Sequence, residues 1–105
     1  MRLEHYPVEK LKQEVLQIVG RHLSLKEHRL FFFGSRVKEM GDERSDIDIG
    51  IEGKREVPIE VMGRIGEELE KLPILYKIEL VDFRKVPPDF RKVALQTIEP
   101  IVTKS

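Results

Sequence analysis

Two stretches, RLFFFGS (residues 29–35) and DIDIGIE (residues 46–52), decide how this chain reads. The first is an apolar, aromatic run stopped at Gly34, as a short strand ending in a sharp turn would be. The second alternates. Ile47, Ile49 and Ile51 fall on one side, and Asp46, Asp48, Gly50 and Glu52 on the other, which is the pattern of a strand with one buried face. The ten residues between them, 36–45, complete the connection. Residues 35–40 are expected to form a short helical turn and residues 41–45 a polar loop.

The flanks supply helices to cover these strands. Val8, Leu11, Val15, Ile18 and Val19 recur at the spacing of an amphipathic helix over 8–22, with Pro7 at its entry and Gly20 near its end. Val61, Met62, Ile65, Leu69 and Leu72 form a second apolar stripe over 58–72, which Pro73 ends. Residues 76–83 read as a third strand and 88–98 as a third helix. Pro100 closes that helix and leaves Ile101 and Val102 as an apolar tail. Helices packing on a small sheet give an α/β (α+β) domain, and 1–105 reads as a single domain.

Composition narrows the possible tasks. The 19 basic and 19 acidic residues cancel, which argues against a protein that coats nucleic acid and leaves room for a local phosphate site. There is no cysteine, so disulfides, thiolate metal sites and cysteine nucleophiles are excluded. No apolar run reaches the roughly 20 residues a membrane span needs, and the N-terminal residues lack a signal peptide's apolar stretch. No membrane association and a cytoplasmic location are the resulting expectations.

The chemistry sits in the same two stretches. Asp46 and Asp48, two apart on a strand, share a face. Carboxylates held close repel one another unless a cation lies between them, and all-oxygen donor sets select hard ions such as Mg²⁺ or Mn²⁺. Gly34 lets backbone approach a ligand closely, Ser35 adds a hydroxyl donor, and Arg36, Lys38 and Arg44 could pair with phosphate oxygens. A third acid could come from the strand at 76–83. Period two places Glu79 opposite the core-facing Ile78 and Leu80, so it is preferred, with Asp82 as the alternative. An Asp-x-Asp alone is commonly no more than a solvated strand end; its value lies in the combination. Competing motifs fail: an EF-hand begun at Asp46 would need glycine where Ile51 stands, and Gly53-Lys54 is followed by Arg55 rather than Ser or Thr.

Gly-Ser, a gap of about ten residues, Asp-x-Asp and a later acid together resemble the nucleotidyltransferase superfamily of DNA polymerase β, and within it the minimal nucleotidyltransferases. The resemblance runs over nearly the whole chain in element order. It implies the nucleotidyltransferase fold, a small mixed sheet flanked by helices. It also implies Gly34 and Ser35, helped by Arg36, as the nucleotide-binding residues. Asp46, Asp48 and Glu79 become metal-binding and catalytic, although the family commonly has Asp at the third position. The implied activity moves a nucleoside monophosphate, AMP for preference, from an NTP such as ATP to an acceptor. With no second domain to bind that acceptor, a partner protein or an oligomer is expected to supply it. The resemblance points to a helical HEPN-type toxin, with this chain as its antitoxin. The rival reading is a non-catalytic antitoxin that neutralises its partner by contact alone.

Overall fold

Backbone pairing around residues 47–51 organises the domain. The computed structural model describes residues 1–38 and 45–102. Its elements are α1 (Val8–Gly20), β1 (Arg29–Phe33), β2 (Ile47–Glu52), α2 (Ile59–Glu70), β3 (Ile78–Asp82), α3 (Pro88–Ala94) and β4 (Glu99–Ile101). The strands form one mixed sheet in the order β3-β2-β1-β4. β1 is antiparallel to both β2 and β4, whereas β2 and β3 run parallel, joined through α2. Such a parallel pair needs a crossover, and the apolar stripe at Val61–Leu69 supplies one that can pack on the sheet.

α1 and α2 cover one face. Leu11, Val15 and Val19 of α1 and Ile65 and Leu69 of α2 pack on Leu30, Phe32, Ile47, Ile49 and Ile51. The three isoleucines of β2 are fully buried, so the alternation read from the sequence is the core pattern of the strand. Burying each such side chain contributes roughly 1.5–3 kcal/mol. Pro7 and Pro58 stand immediately before α1 and α2, in extended backbone that starts each helix.

The other face is less open than alternation alone implies. Phe31, Phe33 and Phe83 build a second cluster there, with Val81, Ala94 and Leu95 packed against it. Phe83 meets Phe31 and Phe33 edge-on, at 4.8 and 5.0 Å between ring centres. Gly50 lies beneath these rings, and a methyl group there would collide with Phe31 and come within 2.8 Å of Phe83. Glu52, also on this face, is buried between Arg29 (Nη2, 2.7 Å) and Arg91 (Nε, 2.6 Å). Burial alone would raise its pKa, but hydrogen bonds from the two arginines hold it below the usual range. The outer half of this face is therefore structural.

The C-terminal end corrects the sequence reading. The third helix stops at Ala94 rather than Ile98, and Glu99–Ile101 is a fourth strand instead of a tail. Leu30 pairs with Ile101 and Phe32 with Glu99, which covers the free edge of β1. Pro100 has no N–H to donate, a defect that only an edge strand tolerates. Among the described residues, no helix is long and apolar enough to cross a membrane. The turn expected over 35–40 is described only to Lys38, whose N–H donates to Gly34 O at 3.3 Å. Of the loop expected over 41–45, Ser45 alone falls within the described residues, and Arg44 falls outside them.

Candidate active site

Strand register assembles the acidic residues. Phe33 pairs with Asp48 across β1 and β2, and Asp48 pairs with Glu79 across β2 and β3. Register partners share a face, so Phe33, Asp48 and Glu79 form a row on the side that α3 covers. Asp46 precedes β2 with the same parity as Asp48. The core-facing Ile78 and Leu80 pack on the α1/α2 side, which leaves Glu79 exposed on the other.

Gly34 follows β1 with φ of 85°, a left-handed conformation that costs little only for glycine. A second constraint comes from across the sheet. A Cβ on Gly34 would collide with Asp48 Oδ2 and lie 3.2 Å from its Cγ. The turn and the carboxylate are thus fitted to each other, with only backbone between them. Ser35 stands exposed on the same turn, one residue further on.

Gly34, Lys38, Asp48 and Glu79 line one cleft of about 370 Å³ together with apolar residues of β1, β3 and α3, and Asp46 and Ser35 are not among its lining residues. A larger hollow of about 620 Å³ lies at the other end of β1, near Arg29, Glu52 and Arg84. It contains none of the acids singled out in the sequence, so size alone is a poor guide to chemistry here.

Electrostatics mark the same spot. The Asp48 carboxyl is pushed up to about 6, first by burial and then by the negative charges of Glu79 and Asp46. Perturbation of this kind, by desolvation and like charge in a cleft, is characteristic of functional carboxylates. A divalent cation would relieve it, and the donor set is all oxygen, as Mg²⁺ and Mn²⁺ prefer. No group of three His, Cys, Asp or Glu side chains among the described residues is disposed to hold a metal ion alone. Mg²⁺ seldom asks for one, since it usually binds one or two carboxylates and completes its shell with water and substrate phosphate. The residues present fit such an ion.

Two sequence candidates take up other tasks. Asp82, the alternative third acid, is buried and accepts hydrogen bonds from Val57 N–H (2.7 Å) and Arg84 N–H (2.9 Å). It fixes the entry to α2 and the exit from β3. Asp82→Ala should therefore cost about 2–3 kcal/mol of stability by stranding these donors, with nucleotide affinity unchanged; urea unfolding and calorimetric titration measure the two separately. Arg36 is buried as well. Its Nε donates to Ser45 O at 2.7 Å and its guanidinium lies 4.5 Å from the centre of the Tyr76 ring. It ties the Gly34 turn to the start of β2, while among the described residues Lys38 is the basic residue that lines the cleft. A basic residue in a glycine-rich turn gives no sequence signal of which way it will face.

The family described as Polymerase beta, Nucleotidyltransferase matches residues 9–105. The probable protein adenylyltransferase MntA of Haemophilus influenzae is 27% identical over 85 residues, which is 79% of this chain and 75% of that protein. Among solved structures, a toxin–antitoxin complex with AMP-PNP superposes with a TM-score of 0.71 at 15% identity, covering 90% of this chain and 74% of the other. The tri-AMPylated Shewanella oneidensis HEPN toxin in complex with MNT antitoxin gives 0.67 at 14% identity, covering 91% and 73%. At these identities the structural matches speak to the fold.

Proposed function

The chain belongs to the polymerase β nucleotidyltransferase family, and from that premise we propose that it transfers AMP from ATP to a partner protein of the HEPN toxin type in the cytoplasm. The observation that carries this reading is the contact of Asp48 with the positive-φ turn at Gly34, with Glu79 in register beside it. Phosphate and carboxylate chemistry need to meet at one point, and this is where backbone donors and acids meet. The likeness to MntA and to toxin–antitoxin complexes supports the choice of nucleotide and acceptor.

In this mechanism Gly34 and Ser35 hold the β- and γ-phosphates, with Lys38 offering a positive charge from the cleft wall. Arg36 contributes by fixing the turn against Ser45. Asp46, Asp48 and Glu79 are the carboxylates that would hold Mg²⁺ or Mn²⁺, with water and substrate phosphate completing its shell, and the ion would supply neutralisation of the phosphate charge. The acceptor hydroxyl attacks the α-phosphorus and the bond to the bridging oxygen breaks, releasing pyrophosphate. Glu79, exposed beside Asp48, takes the hydroxyl proton. Positioning and electrostatics supply the rate.

The test is incubation with ATP labelled at the α-phosphate, Mg²⁺ and the partner toxin. Label should appear on the partner and fall at least about 100-fold with Asp46→Asn, the scale of losing one preorganised electrostatic contact. A partner bound equally well by both proteins, and labelled by neither, would make this chain an antitoxin that acts by contact.

A further inference from the structure

α3 is a short helix with no buried residue. The Arg91–Glu52 ion pair, Ala94 packed on the phenylalanine cluster, and the Phe90 ring, edge-on to Phe33 at 6.2 Å and tilted against Phe83 at 6.1 Å, help to hold it. Despite them, Phe90 remains 45% exposed and Val93 53%. Single exposed apolar side chains are ordinary. These two, however, are three apart on one helix face and line the same cleft as Gly34, Asp48 and Glu79. The cleft thus has two unlike walls, one of turn backbone, carboxylates and Lys38, the other of Val81, Phe90, Val93 and Ala94.

A nucleoside triphosphate is divided in the same way, with a charged tail and a flat, weakly polar ring. The cleft's volume of about 370 Å³ lies in the small-molecule range of roughly 300–1,000 Å³. We propose that the Phe90–Val93 face of α3 seats the nucleobase, with Phe90 as its principal contact. This rests on the nucleotide-transfer reading above, and it adds a base-binding residue that neither the Gly-Ser turn nor the acids supply. The ion pair to Glu52 then has a role in positioning, since it sets the distance of α3 from the phosphate turn.

The experiment compares ATP with inorganic tripolyphosphate, which keeps the charged tail and lacks the base. Affinities for both are measured by calorimetry in Mg²⁺ on the full chain, for wild type, Phe90→Ala, Phe90→Leu and Phe90→Trp. Base–aromatic stacking energies correspond to about 5- to 150-fold in affinity. Phe90→Ala should therefore weaken ATP about tenfold or more and leave tripolyphosphate unchanged. Phe90→Leu, which keeps the apolar cover for Phe33 and Phe83, should lose part of the ATP affinity even if the alanine variant folds poorly. Phe90→Trp should retain it. Because the chain has no tryptophan of its own, the fluorescence of that variant reports one position, and ATP should quench it where tripolyphosphate does not. Equal weakening of both ligands, or of neither, overturns the seat. So does loss of partner binding with ATP affinity intact, which would give the face to the acceptor protein. Wild-type protein that binds neither ligand sinks the underlying transfer reading as well, a failure distinct from tight ATP binding indifferent to Phe90.

Discussion

Asp48→Asn should abolish nucleotidyl transfer and at the same time make the folded protein more stable near neutral pH. Removing a ligand that contributes several kcal/mol to transition-state charge stabilisation predicts a loss of about 1,000-fold or more. The stability gain follows from the environment of the group. Burial first, then Glu79 and Asp46, raise the Asp48 pKa from 3.8 to about 6. Between those values the folded state keeps a proton that the unfolded chain has released, so wild-type stability falls as pH rises from about 4 to about 6 and stays lowered above. Asparagine carries no charge and removes this slope. The gain at pH 7 should be on the order of 1 kcal/mol, because solvent screens a half-exposed carboxyl and the full shift overstates its energy. Thermal unfolding from pH 4 to 8 reads the slope. Added Mg²⁺ should raise the wild-type melting temperature at pH 7.5, by stabilising only the folded state, and should do little for Asp48→Asn. A variant that keeps transferring, or that loses stability at pH 7, would show that Asp48 is an ordinary surface acid.

This opposition between activity and stability was legible in the sequence only where local pattern and chemistry coincide. Alternation in DIDIGIE separates the core isoleucines of β2 from the side chains of its other face, because a strand's two faces are set by its own periodicity. Period two set Glu79 on the face opposite Ile78 and Leu80, whereas its pairing with Asp48 comes from the register of β2 on β3. What stayed hidden depends on distant partners. Glu99–Ile101 has three residues and a proline, no periodic signal at all, and becomes a strand because β1 has a free edge. Asp82 and Glu52 look like Asp48 in the sequence. Only the fold brings Val57 and Arg84 to the one, and Arg29 and Arg91 to the other, consuming them as structural anchors. Arg36 and Lys38 are two residues apart, yet Arg36 is drawn inward by Ser45 and by the distant Tyr76, while Lys38 lines the cleft.

Gly34→Ala offers the second large effect, and it separates two causes that a single measurement would merge. Alanine at φ of 85° carries a backbone penalty of about 1–2 kcal/mol. Its methyl group would also strike Asp48 Oδ2, and moving a packed neighbour costs about a further 1–3 kcal/mol. Stability should fall by the sum of the two. Activity should fall further, by at least about 100-fold, because misplacement of a reacting group by an ångström is enough for that. The two causes come apart in the Asp48→Ala background. Without the carboxylate, the steric part vanishes and only the backbone penalty remains, so Gly34→Ala should cost less there than in wild type. The difference, read from urea unfolding of the four proteins, measures how firmly the turn and the carboxylate are fitted together. Additive costs, with no difference between backgrounds, would mean that Asp48 does not rest over the turn, and the phosphate and acidic halves of the site would no longer meet.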